Sequence, residues 1–467
     1  MTTIAEALAD FALDPSFQTN GALARGMEIY VLDTLAVALA GTVAPSSAAI
    51  ARTIAAAAGR PEATVFGIGR ITSAWDAALA NGAFGHALEL DDDHRVAVLH
   101  PGTVVVPAAL AAAEAEKTDG STFLRAVLVG YEVTCRLGEV FRGAQFYHGV
   151  HPTALCGVFG AAAAAAVALD LDRTQFVNAL GIAGTQASGL TEWRTDGSWI
   201  KRLHPGRAAQ SGILSARLAR EGFTGPATIF EGENGFFNAF SYGEPIDPDA
   251  MTRDLGSQFS AFGTAIKPFP CCRFEHGAID LALEAFAQGI RASEIDRVDI
   301  RIYRTDVLSY HQTPKNAVDA QFNVPYAIAV ALLRGGMGLA DFTEDAIRDE
   351  QVLALARRIF VVEDPALTAK YPELYEVVLR IRTTDGVERE FFSDCPSGDP
   401  AARQYRDAPD RLGREVDAKA VSLLSECGFA TRVDALRLAV RGLSASPDLD
   451  RLTHVLGSAR DADRIQI

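Results

Sequence analysis

Residues 152–170, PTALCGVFGAAAAAAVALD, are apolar almost all round and built mostly from small side chains. A helix apolar on every side has to be enclosed by other helices, and its alanines and glycines let those neighbours come close. That requirement sets the fold expected for the first part of the chain. Ala-rich segments recur at 4–13, 24–40, 46–58, 73–90, 103–117, 121–141, 173–188 and 206–221. Their apolar residues fall three and four apart, and Gly or Pro punctuates the gaps. Residues 1–265 therefore read as one large all-helical domain, and the chain as mainly α.

The pattern changes near residue 266. Residues 297–304 (RVDIRIYR) and 376–382 (EVVLRIR) alternate apolar and polar positions, and Asp385-Gly386 supplies a hairpin signal before 387–392. Helical stretches at 319–334 and 344–358 lie between them. Residues 266–395 thus read as a smaller α+β domain with an antiparallel sheet, flanked by Pro-containing junctions and placed to act as a lid. Residues 396–467 read as C-terminal helices, chiefly 410–443, returning to the first domain, with a terminal turn from 444.

Charge excludes some partners. A formal net charge of −16 argues against nucleic acid and against an anionic membrane surface, so an anionic substrate needs local positive charge. Apolar runs such as 160–169 are too short to span a bilayer. The six cysteines have no metal-ligand spacing and read as reduced thiols, and the acidic N-terminus is not that of a signal peptide. A cytoplasmic protein is expected.

The richest chemistry lies in 81–107, NGAFGHALELDDDHRVAVLHPGTVVVP. Read as a helix, its His86, Glu89 and Asp93 would share one face. Acids crowded at a helix C-terminus oppose its dipole, a cost stability alone does not require. Embedded in apolar sequence, the cluster points to a pocket. Chance pairing of nine histidines with twenty prolines predicts fewer than one His-Pro step, yet His100-Pro101, His151-Pro152 and His204-Pro205 are all present. Each precedes an Ala-rich segment, and proline favours the first helical position, so each histidine is expected at an N-cap and neutral. Such helix ends also attract carboxylates. Lys201 precedes the third pair. Lys267 and Arg273 bracket the adjacent cysteines of IKPFPCCRFEH, which read as two buried thiols.

On these residues the chain resembles the MmgE/PrpD family over almost its whole length. The matching pieces include NGAFGHALELDD at 81–92, HPG at 100–102, GVHPTALCGVFGAAAAA at 149–165 and KRLHPGRAAQSGILSARLAREGFTGP at 201–226. EGENGFF at 231–237, KPFPCCRFEH at 267–276 and AQFNVPYAIA at 320–329 follow in order. The resemblance implies a helical domain with a smaller lid, a cleft between them, no cofactor and no metal, a homodimer, and a small polycarboxylate substrate. Known activities in the family are 2-methylcitrate dehydratase, cis-aconitate decarboxylase and iminodisuccinate epimerase. By motif match the cleft residues fall on Glu89, Asp93, His100, His151, Lys201, Lys267 and Tyr326. The decarboxylases carry threonine where this chain has Asp93, and histidine where it has Cys272.

Those differences favour a cofactor-independent isomerase of the iminodisuccinate epimerase type, which abstracts and returns the proton next to a carboxylate. His100 or His151 would be one base, with Lys201, Lys267 or Tyr326 the other. Glu89, Asp93, His204, Cys272 and Arg273 would bind substrate. The alternative is a dehydratase of a hydroxy-polycarboxylate, or a related decarboxylase. Two further classes carry weight: a metal-dependent enzyme using His86, Glu89, Asp91, Asp92, His94 and His100, and a non-catalytic binding protein that keeps the cleft.

Overall fold

The computed structural model describes residues 2–15, 21–57, 59–304, 308, 312–408 and 410–461. Its centre is the helix Pro152–Ala168, in which every residue is buried. Four helices enclose it: Gly102–Glu116, Gly120–Phe141, Arg173–Gly184 and Ile200–Arg220. The small residues do what their size allows. A methyl group at Gly160 would run into the Thr134 hydroxyl and the Gly130 carbonyl of the Gly120–Phe141 helix. Likewise Gly206 faces the Leu79 carbonyl, so Ile200–Arg220 lies directly on the helix Ala74–Gly85. Glycine at both positions lets the backbones approach to where dispersion contacts are dense.

The first region is not the all-helical domain expected from its sequence. Ala63–Val65 pairs with Arg70–Thr72, and Asp93–His94 pairs antiparallel with Thr264–Ala265. The second ladder is two residues long. It lies in the acidic stretch and ties it to the segment leading into Lys267.

The second region holds a four-stranded sheet in the order Ile359–Glu363, Ile295–Ile302, Val377–Thr383, Glu388–Ser393. The hairpin at Asp385-Gly386 joins the last two strands. The sheet is mixed rather than antiparallel, because Ile295–Ile302 pairs parallel with Ile359–Glu363. That edge strand is short and largely exposed on both faces, so it lacks the alternation that marks the others. Helices His276–Ala287 and Val324–Arg334 pack on the sheet.

Two large hydrophobic cores follow from this arrangement, beside a small cluster of Cys395, Ala402 and Tyr405. One joins residues from 5–266 with the C-terminal helices, including Arg411–Glu426, which lies against Gly21–Gly41. The tail from 444 is more than a turn: Asp450–Gly457 is helical and contributes Leu452 and Leu456 to this core. The other core is built around the sheet, and Val98, Phe146 and Trp193 of the first region reach into it. Those side chains mark the seam between the cores. Among the described residues, no single helix is long and apolar enough to cross a membrane.

Candidate active site

The helix Ala74–Gly85 stops before the acidic cluster. His86 is its C-cap, and Glu89 takes φ +56°, a left-handed conformation that non-glycine residues adopt at a cost. His86, Glu89 and Asp93 therefore do not share a helix face. The reversal instead sends four acids in different directions. Asp91 accepts from His86 Nδ1 at 2.7 Å. Asp92 takes the Tyr131 hydroxyl at 2.7 Å and the Gly102 N–H at 3.0 Å. Glu89 meets Lys201, and its Oε2 lies 3.6 Å from Lys267 Nζ, which also donates to the Glu89 carbonyl at 3.2 Å. Asp93 faces a cavity.

That cavity has a volume of about 30 Å³ and sits at the seam. Every expected site residue borders it except His204 and Tyr326, with Val98, Phe146, Phe274 and Phe322 as apolar walls. His204-Pro205 lies inside the helix Ile200–Arg220 and not in front of it, so His204 is no N-cap. The preceding turn, from Ile200, already carries Lys201 into place. His204 instead supports His151, the two Nδ1 atoms lying 3.1 Å apart. His151 is the N-cap of its helix with Pro152 at the first position, while His100 stands one residue before the cap of Gly102–Glu116. The Tyr326 hydroxyl donates to the Asp341 carbonyl within the second region, away from the cavity.

Electrostatics divide these groups into roles. Burial drives His100 and His151 well below their usual range, and His204 down to about 4, so burial rather than the helix dipole keeps them neutral. His100 Nδ1–H donates to the Asp92 carbonyl at 2.6 Å, which fixes the tautomer and leaves Nε2 with the basic lone pair. Burial raises Asp93 to about 6 despite nearby Lys267 and Arg273. Its Oδ2 is 3.6 Å from His100 Nδ1. For Glu89 the cost of burial is outweighed by Lys201 and Lys267, which hold it well below the carboxylate range. Lys267 itself is raised, because Glu89, Asp91 and Asp93 overcome its desolvation. Burial lifts Cys272 to about 12, so it presents a neutral thiol.

Sequence reasoning missed several supports. Asp399 holds Arg273 at 3.3 Å and Arg95 at 2.6 Å from 126 and 304 residues away, with no local signal. Trp193 and Phe322 place their rings 5.4 and 5.1 Å from Lys201 Nζ. The expected metal shell around 86–100 does not assemble: His94 turns to the Ser260 carbonyl and Glu139. The group of nitrogens within 4.8 Å is instead His86, His100 and His151.

The MmgE/PrpD N-terminal domain profile matches residues 6–249, and the C-terminal domain profile matches residues 269–431. The chain belongs to the MmgE/PrpD family. It is 30% identical over 446 residues to a cis-aconitate decarboxylase-like protein of Aspergillus oryzae, covering 90% of each chain. A cis-aconitate decarboxylase of Aspergillus terreus is 30% identical over 354 residues, 70% of this chain and 72% of that protein. The 2-methylcitrate dehydratase of Escherichia coli is 26% identical over 282 residues, 56% of each. These MmgE/PrpD relatives are named as lyases. The two profile matches span every residue that borders the cavity except Lys267.

Proposed function

We propose that this MmgE/PrpD protein is a lyase of a small polycarboxylate, and that its reaction is loss of water from a hydroxy-polycarboxylate. The observation that carries this is the pairing of a neutral His100 with Asp93, side by side beneath three cations. His100 Nε2 removes the proton next to a carboxylate. Lys201, Lys267 and Arg273 hold the carboxylates and the enolate charge that develops. Asp93, protonated below about pH 6, gives its proton to the departing hydroxyl. Atoms balance: substrate loses H and OH as water and gains a C=C bond.

Elimination is preferred over the stereocentre inversion expected from the sequence for two reasons. The named relatives are lyases, and Asp93, its carboxyl 3.6 Å from the His100 ring, is an acid for a leaving hydroxyl that inversion does not release. Asp93 also favours dehydration over decarboxylation, since loss of CO₂ involves no leaving hydroxyl to protonate. A cavity of about 30 Å³ holds a water molecule or two, not a polycarboxylate. Substrate therefore enters through separation of the two cores along the seam, with residues 266–395 moving as a lid.

Product analysis in D₂O with a panel of hydroxy-polycarboxylates tests the reading. An alkene formed with water release supports it. Release of CO₂ points to a decarboxylase, and label entering without any alkene points to an epimerase.

A further inference from the structure

His86, His100 and His151 form a cluster whose chemistry exceeds what elimination needs. Their ring centroids are 4.9 Å apart for 86 and 100, 5.6 Å for 86 and 151, and 6.3 Å for 100 and 151. Each ring has its Nδ1 engaged from outside: by the Asp91 carboxylate, by the Asp92 carbonyl, and by His204 Nδ1. Three rings oriented through Nδ1 leave three Nε2 atoms. That of His86 is buried and has no hydrogen-bond partner, an expensive state for a polar atom. His86 itself is fully buried.

Engaged Nδ1 atoms behind free Nε2 atoms are the support pattern of histidines that ligate metal, the carboxylate–histidine dyad above all. We propose that His86, His100 and His151 bind one borderline-soft divalent cation of the Zn²⁺ type, with the fourth position open to water. One ring nitrogen of each histidine lies within 4.8 Å of one from each of the others. Zn–N bonds of about 2.0–2.1 Å need a separation of roughly 3.4 Å, which side-chain rotation supplies. The ion selects the tautomer in which His151 Nδ1–H donates to His204. Charge is available to meet it, since Asp91 stands directly behind His86, and Glu89 and Asp93 line the cavity that His100 and His151 border. Imidazole ligands without thiolate suit Zn²⁺, Ni²⁺ or Co²⁺ better than Mg²⁺ or Ca²⁺. A filled site takes the lone pair of His100, so on the lyase reading above the cation is an inhibitor that substrate must displace.

Binding can be read without turnover, so failure of the lyase reading leaves this test intact. Chelator-stripped full-length protein is titrated with Zn²⁺ against a chromogenic chelator, and with Co²⁺ by visible absorption. One Zn²⁺ per chain and the intense bands of a low-symmetry, four-coordinate Co²⁺ are expected. His86→Ala should weaken Zn²⁺ at least tenfold, and Asp91→Asn, acting through His86, about 10–100-fold. The Co²⁺ spectrum needs no variant, so a substitution that fails to fold does not spoil the test. Lack of a stoichiometric site in the unaltered protein, or affinity unchanged in a folded His86→Ala, overturns the assignment.

Discussion

The two sides of the seam contribute differently to one cavity. On the proposed reading the helical side supplies the groups that move protons, His100 and Asp93, and its histidines are held by their own region: His100 by the Asp92 carbonyl, His86 by Asp91, His151 by His204. The sheet side supplies charge and cover. It adds two cations to the helical side's Lys201: Arg273, held by Asp399, and Lys267, which finds its partner Glu89 across the seam. The difference teaches that chemistry is fixed on one half, whereas complementarity to an anion exists only when both halves meet. The resident Glu89 carboxylate already sits between the two lysines, so the closed form does not depend on bound substrate to relieve their repulsion. On the proposed reading, Glu89 has to leave one of the lysines to free a cation for substrate.

The largest effect should follow loss of the base. His100→Gln keeps a polar side chain but no titratable lone pair, and should lower kcat by about 10²–10⁴-fold in a lyase assay. A loss confined to KM would place His100 among the binding groups instead.

Lys267→Met probes the other half. Turnover should fall by about 10²–10³-fold, and stability by about 2 kcal/mol in a denaturant melt, because Glu89 loses one of its two buried partners. A melt unchanged or raised would show that the cross-seam pair contributes nothing to closure.

Asp93 gives a pH signature with a defined sign. The acid form is needed, so turnover should fall as pH rises through about 6. Asp93→Asn should remove that limb from the kcat profile. Tyr326→Phe should have the smallest effect: kcat within about twofold, and about 1 kcal/mol of stability from the lost hydrogen bond to Asp341. A large fall in kcat would put Tyr326 back in the site.

Much of the helical fold was legible because alanine and glycine at three- and four-residue spacing leave one low-energy packing. The period-two segments likewise marked the strands at 295–302 and 377–383. The edge strand Ile359–Glu363 was not legible, since exposure on both faces erases alternation. The site's members were visible as unusual polar residues in apolar sequence, but their arrangement was not. A helix through 90 was the local expectation, and the left-handed turn at Glu89 overrode it because burying four acids needs four separate partners. His204 misled because Pro205 stands as the sixth residue of Ile200–Arg220, inside the helix and not at the first position that proline prefers. Asp399 gave no local sign at all, because its partners Arg273 and Arg95 are brought to it by tertiary structure.

The division between a base on His100 and an acid on Asp93 is tested most directly by separating proton exchange from elimination. Substrate identified by product analysis is incubated in D₂O with each variant, and recovered substrate is examined by NMR for deuterium next to the carboxylate. Asp93→Asn should still exchange that proton while forming alkene at least about 10²-fold more slowly, and His100→Gln should do neither. Exchange that survives in His100→Gln and disappears in Asp93→Asn would contradict the account.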